Sequence, residues 1–315
     1  MDSKNLNPKS GDNVAAGTMK QRPLEEISEI TSTLNLGVEN SEGYWAINVP
    51  YFPVGDGGVS VTVIDERSKI NINAQVDQGT NRVDQQVLTE LRELFRFLGI
   101  DEGKSERFIA SLINWLDAPV EEAINDQDSL GAQGQYYSRL ENPYLIKDGS
   151  LDSLQEILLI DGMDEEFYTS VKDFVTIFPD DKKINFSTAP KVVIMAAIKA
   201  ATISAIQQQE PEEVNEVPDD TAEQIADEII AARAGDPILT QQRARQIASD
   251  VDTTSEISAG LVGVAHNTGQ SDTFTVKSIG SLGEVNPTKR IVEAVLRKTT
   301  LNNSPVVDIV SWKEL

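Results

Sequence analysis

One phrase occurs twice, as Lys69-Ile70-Asn71-Ile72-Asn73 and Lys183-Ile184-Asn185-Phe186-Ser187, and it constrains the folding of this chain more than any other feature. Each copy alternates apolar and polar residues, the period of a short strand, and each runs into helix-forming sequence. The first follows the β-rich run Val59-Ser60-Val61-Thr62-Val63-Ile64 and the acidic pair Asp65-Glu66. The second precedes Thr188-Ala189-Pro190, a hydroxyl cap ahead of a proline whose fixed φ suits a first helical turn. The pattern predicts two extended lead-ins to two helical lobes.

Taken in order, residues 1–22 are polar and read as disordered or tag-like. Leu24, Ile27, Ile30 and Leu34 then fall at helical spacing, closed by Gly37. Tyr44–Val49 reads as a strand, Pro50–Gly58 as a loop in which Gly55-Asp56-Gly57-Gly58 makes a hairpin turn, and Val59–Ile64 as a second strand. Helical stripes follow at Val87, Leu88, Leu91, Leu94, Phe95 and Leu98, and at Phe108, Ile109, Leu112, Ile113 and Leu116. Leu151–Ile160 and Phe167–Phe178, joined at Asp161-Gly162-Met163, read as a helix-hairpin-helix. Ala189–Ile206 is the most apolar helix, 207–219 a flexible loop, and Thr221-Ala222-Glu223-Gln224 a capping box opening a helix that Gly235 ends. Pro237–Val251 makes one more helix.

From Ser258 the period becomes two, predicting strands at Leu261–His266, Phe274–Ile279, Ile291–Lys298 and Val306–Trp312. Strands at both ends with helices between predict an α+β architecture. In it, residues 23–75 and 258–315 form one domain, and 76–257 form a large inserted all-helical domain with helix-hairpin-helix-like elements.

Function classes narrow by composition. The 27 Lys and Arg against 51 Asp and Glu give a formal net charge of −24, which repels phosphate backbones and anionic membrane surfaces. With no cysteine, disulfides and thiol nucleophiles are excluded, and the single His266 excludes a multi-histidine metal site. No Gly-x-Ser-x-Gly elbow or phosphate-binding glycine loop is present. The hairpin Ile160-Asp161-Gly162-Met163-Asp164-Glu165-Glu166 is acidic where a DNA clamp needs to meet phosphate, so its reading is packing.

An acidic loop remains, with Asp117, Glu121, Glu122, Asn125, Asp126 and Asp128 within twelve residues. Ca²⁺ takes about six to eight oxygen ligands, which such a loop supplies, although the spacing is not that of an EF-hand. Asp117, Glu122, Asp126 and Asp128 are the candidate ligands; a solvated loop is the alternative.

Asp65-Glu66-Arg67-Ser68-Lys69-Ile70-Asn71-Ile72-Asn73-Ala74, Asn114-Trp115-Leu116-Asp117, Gly131-Ala132, Tyr136-Tyr137, Asn142-Pro143-Tyr144, Leu154-Gln155-Glu156-Ile157, Ile184-Asn185-Phe186-Ser187-Thr188-Ala189-Pro190 and Val310-Ser311-Trp312-Lys313-Glu314 stand in one order. This series resembles the K-type minor pseudopilins of bacterial type II secretion, from about Trp45 to the C-terminus. The resemblance implies a pilin-like domain, made of an N-terminal helix remnant and an antiparallel sheet, carrying the inserted helical domain. It implies a non-enzymatic subunit at the tip of a periplasmic pseudopilus, partnered by I-type and J-type minor pseudopilins. It further implies attachment to the inner membrane through an N-terminal helix that precedes the sequence read here.

The family's calcium site lies near the Asn114–Asp117 segment. Here Asn114 and Gln133 stand where the family has carboxylates, which weakens a hard-cation site. Two other readings are a helix-hairpin-helix nucleic-acid-binding protein, disfavoured by charge, and a calcium-stabilised surface adhesion module.

Overall fold

The computed structural model of the chain describes residues 49–77, 79, 82–116, 136–206, 217–254, 256–283, 288–301 and 304–315. The stretches read above at 1–22, 24–36, 44–48, 117–135 and 207–216 lie outside the described residues.

Strand β1 (Val49–Val54) turns at Gly55-Asp56 into β2 (Gly57–Asp65), pairing antiparallel with it. The chain then leaves this sheet through β3 (Ile70–Asn71), β4 (Val76–Asp77), β5 (Arg82–Val83), α1 (Gln85–Phe97) and α2 (Glu102–Leu116). A 3₁₀ stretch at Leu154–Leu159 follows, then α3 (Glu165–Val171), β6 (Val175–Thr176), α4 (Lys191–Ile206), α5 (Asp219–Gly235), α6 (Gln241–Val251) and α7 (Glu256–Val264). It returns through β7 (Thr273–Leu282), β8 (Thr288–Leu301) and β9 (Ser304–Glu314). The main sheet has the order β1-β2-β7-β8-β9 and is antiparallel throughout. β2 and β7 are neighbours in it, with Asp65 opposite Phe274, so everything between them is one insertion.

The apolar core lies almost entirely in that insertion. In α1 the predicted stripe is the buried one: Val87, Leu91, Leu94 and Phe95 are inside, and Asp84 caps the helix by accepting from the Gln86 and Val87 amides at 3.0 and 3.2 Å. α4 has Val193, Ile194, Ala196, Ala197, Ile198, Ala200 and Ala201 fully buried. A helix this apolar must be covered on most of its surface, and α4 packs against α1, α5 and α7. Phe95, Phe108 and Phe167 join α1, α2 and α3 through ring centroids 5.0–6.0 Å apart.

Five expectations are corrected. The Pro50–Gly58 loop is largely strand β1, whose Pro50 and Pro53 are tolerated because it is an edge strand with irregular register. Leu261–His266 is not a strand: most of it belongs to helix α7, since a short apolar run does not distinguish a buried helix from a buried strand. The sheet therefore resumes at Thr273, and α7 packs with the helical lobe. Phe167–Phe178 is helical only to Val171; the β-branched pair Val175-Thr176 forms β6, parallel to β3. The Leu151–Ile160 helix is the 3₁₀ stretch Leu154–Leu159, held at its start by Glu156 Oε1, which accepts from the Asp152 and Ser153 amides at 2.8 and 2.9 Å. Helices α5 and α6 begin at Asp219 and Gln241 rather than at the predicted capping box and Pro237.

The Asp161-Gly162 hairpin packs. Gly162 has φ +91°, and a Cβ there would lie 2.7 Å from the Phe108 amide nitrogen, so only glycine fits. At Gly260, in α7, a Cβ would lie 1.8 Å from the Ala201 carbonyl oxygen of α4. Gly260→Ala must push the two helices apart, and an overpacking cost of about 1–3 kcal/mol is expected in chemical denaturation; unchanged stability would show that the helices are not held at this distance.

Candidate assembly surface

The residues of the repeated phrase meet where the insertion leaves the sheet. Ile70 and Ile184 are fully buried, and Ile72 and Phe186 nearly so, which accounts for the apolar half of the alternation. The polar half is two buried asparagines used alike. Asn71 Oδ1 accepts from the Asn73 amide at 3.0 Å and Asn185 Oδ1 from the Ser187 amide at 3.1 Å. Each thereby closes its own turn with its side chain. Their amide groups reach across the junction, Asn71 Nδ2 to the carbonyls of Pro179 and Asp181, and Asn185 Nδ2 to Asp65 Oδ2 at 2.9 Å. Ile184 bridges parallel to Ala265 while Ile70 pairs with Val175, so the two copies lie in different small ladders.

Asp65-Glu66-Arg67 binds these parts together. The Arg67 side chain is 7% exposed. It donates from Nε to Asp272 Oδ1 at 2.7 Å and from Nη2 to Asp272 Oδ2 at 3.1 Å, while Nη1 reaches both oxygens of Asp181 at 2.8 Å. One planar guanidinium thus bridges the outgoing chain, the return segment before β7 and the loop before the second phrase. Burial alone pushes the Asp272 carboxyl up, yet the Arg67 guanidinium holds it below the usual carboxylate range. Asp65 accepts from Ser271, Thr188, Asn185 and the Arg67 amide, but its burial outweighs these donors and raises its pKa. Glu66 accepts from Thr275 of β7 at 2.7 Å, from Lys69 at 3.0 Å and from Thr176 of β6 at 2.5 Å.

His266 lies beside this cluster. Its desolvation, and then the Arg67 charge, lower its pKa, and its Nδ1 is buried without a partner.

The sheet beyond the junction has two unlike faces. Directly opposed residues share a face, so the register gives the rows Phe274–Leu296–Ile309, Val63–Val276–Ala294–Trp312 and Val49–Val61–Ser278–Val292, followed by Phe52 and Val59. This apolar face is uncovered among the described residues: Trp312 is 50% and Ile309 53% exposed, and Phe52, Val54 and Val307 are exposed as well. The other face carries rows such as Thr62–Lys277–Glu293–Lys313, and the helical lobe meets it through Gln155, close to Lys313 Nζ, and through Asp180, paired with Arg297 at 3.2 Å. Alternation within the predicted strands makes this face readable; the register that assembles its rows is supplied by the structure.

The four predicted calcium ligands, Asp117, Glu122, Asp126 and Asp128, lie outside the described residues, as does Gln133. Among the described residues no cluster of His, Asp and Glu is placed to hold a metal ion. Asn114 and Trp115 occupy the last turn of α2, where Asn114 Nδ2 and Trp115 Nε1 are buried without acceptors. Trp115 packs edge-on against Tyr137 and Tyr144, with ring centroids 5.6 and 6.3 Å away.

These features define an α+β protein with a five-stranded antiparallel sheet that carries a helical insertion and presents an apolar face. Residues 68–180, from the junction through α3 and β6, match the family model described as type II secretion system (T2SS), protein K. The chain is 25% identical over 171 residues to the type II secretion system protein K of Klebsiella pneumoniae, a match covering 52% of this chain and 50% of that protein. It is 24% identical over 173 residues to that of Aeromonas hydrophila, with the same shares. The chain spans about half the length of the curated relatives it matches.

A chain of the crystal structure titled as the GspK-GspI-GspJ complex of the enterotoxigenic Escherichia coli type 2 secretion system superposes with TM-score 0.58 at 18% identity, over 92% of both chains. The fold is that of this neighbour, and the segment 68–180 is similar to the protein K family model, in line with the resemblance read from the sequence.

Arg67→Met keeps much of the side-chain volume but leaves two aspartates without their cation. A loss on the order of 2–3 kcal/mol is expected in urea unfolding, discounted because both aspartates are about half exposed. Faster proteolysis within residues 177–190 is expected alongside; an unchanged midpoint and cleavage pattern would remove the guanidinium from its role as the tie.

Proposed function

We propose that this chain is a non-enzymatic assembly subunit of the type II secretion pseudopilus, a K-type minor pseudopilin. On this reading it joins I-type and J-type minor pseudopilins at the fibre tip and supports protein export. The observation that carries the proposal is the match of residues 68–180 to the protein K family model, in a chain whose sheet has an apolar face uncovered among the described residues. The solved neighbour comes from a complex titled with three such proteins, which supports the choice of partners. On the same reading the subunit works on the periplasmic side and is anchored to the inner membrane.

The chemistry is assembly, and apolar burial drives it. Strands β7 to β9 and their turns carry Lys277, Lys289, Arg290, Arg297, Lys298 and Lys313 against four acids, so this part of an acidic chain does not repel an acidic partner. The nucleic-acid reading finds no support at the hairpin: Arg107 pairs with Asp161 at 2.8 Å and Lys104 with Asp164 at 2.6 Å, which spends both nearby cations.

Calcium belongs to the same proposal. Asp117, Glu122, Asp126 and Asp128 offer the hard carboxylate oxygens that Ca²⁺ takes, so the donor set fits the ion. Bound there, the ion would draw acidic side chains together; Asn114 in place of a carboxylate lowers the expected affinity. Calorimetric titration is expected to give one weak site that vanishes in a variant with all four acids changed to their amides. No heat in the parent chain removes calcium from the proposal.

Assembly is tested by size-exclusion chromatography with soluble I-type and J-type pseudopilins of the same organism, with co-elution at one-to-one-to-one expected. Ile309→Asp with Trp312→Asp is expected to weaken that complex about thirtyfold or more, the scale of a lost hot spot, without lowering the unfolding midpoint. Separate elution of the three parent proteins counts against the assembly reading. Undiminished binding by the double variant moves the interface off this face.

A further inference from the structure

The helical lobe contains an acid that assembly does not use. Glu90 stands midway along α1 and is 1% exposed. Gln86, one turn earlier, donates from Nε2 to Glu90 Oε1 at 2.9 Å, while Oε2 is buried without a partner. The 3₁₀ turn at residues 72–75 packs on α1 and ends in Gln75, a fully buried side chain whose Nε2 and Oε1 are both unpartnered. The Gln75 carbonyl accepts from the Asp84 amide at 2.9 Å, tying this turn to the cap of α1. A buried carboxyl and a buried carboxamide with open valences are costly unless water reaches them or the carboxyl is neutral.

The charged groups around Glu90 leave it without a counter-ion. Asp84 and Lys182 are the charges felt there, and they pair with each other at 2.6 Å. On α4, Lys191 pairs with Glu223 and Asp227, and Lys199 with Asp219; on α2, Glu106 pairs with Arg92. The turn Ile72-Asn73-Ala74-Gln75 and strand Ile70-Asn71 carry no charge.

We infer that Glu90 is a proton-held latch of the helical lobe. As a neutral acid it lets α1 seat against the 72–75 turn, and its ionisation in mildly alkaline medium loosens that seat. Burial is the dominant influence and pushes the Glu90 carboxyl up to about 8, against the pull of Gln86 and Lys182. An acid whose folded value lies above its unfolded one stabilises fully below the unfolded value of 4.5, and that contribution is lost as pH rises to about 8.

The test compares urea unfolding of the full chain and of Glu90→Gln across this range. The unfolding equilibrium constant of the parent is expected to rise by up to about tenfold per pH unit relative to the variant, which keeps the buried shape but cannot ionise. Amide exchange in residues 72–75 and 85–97 of the parent is expected to accelerate in step, beyond the intrinsic pH effect. Should the variant misfold, infrared spectra of glutamate-labelled parent protein decide: a protonated carboxylic acid present at neutral pH and lost near pH 8 supports the latch. Parallel stability curves for the two proteins, or no protonated glutamate at neutral pH, overturns it.

Discussion

One buried guanidinium ties together three segments of the junction. Arg67 lies one residue beyond the 3₁₀ start that follows β2, and it holds Asp272, where the chain comes back, and Asp181, where the second phrase begins. These partners lie 205 and 114 residues further along the chain. Among the described residues the sheet and the helical lobe are also linked by Asp65 with Asn185 and Thr188, Glu66 with Thr275, Arg297 with Asp180 and Lys313 with Gln155. A guanidinium suits the post because its planar fork serves two carboxylates in fixed directions while staying charged at every relevant pH. A lysine has one point of charge and would serve one of them.

The repeated phrase was legible because both of its halves have local causes. The isoleucines are buried and the asparagines close turns on residues two positions on, and both effects act within five residues. What could not be read was where the copies go: one pairs with β6, the other bridges to Ala265, and these partners come from tertiary packing. The same division explains the misread segments. Leu261-Val262-Gly263-Val264 has a strand-like composition, but its place beside α4, where Gly260 allows close approach, makes it helix. The prolines of β1 argued for a loop because a central strand has no room for them, whereas an edge strand does. Of the candidate site, the acids at 117–128 were visible as composition alone, since nothing in their spacing selects a geometry. The apolar sheet face was visible as alternation and needed the strand order to become a surface.

Sequence identity of 18% with the solved neighbour coexists with a common fold over 92% of both chains. Two kinds of restraint here ask little of most positions. The lobe needs apolar volume on defined helical stripes, which many residue combinations satisfy. The junction asks for particular groups, and Asp65, Arg67, Asn71 and Asn185 supply them at fixed distances. The family match at 68–180 begins within a residue of that cluster.

The placement of the insertion between two strands that are already hydrogen-bonded neighbours has an architectural consequence. From the standpoint of the sheet, Asp65 and Phe274 are ends that an ordinary hairpin turn joins, whatever the length of chain routed between them. The pairing of β2 with β7 therefore sets no limit on the length of the lobe between them. A change in the length of that route leaves Asp65 opposite Phe274 and the strand order the same.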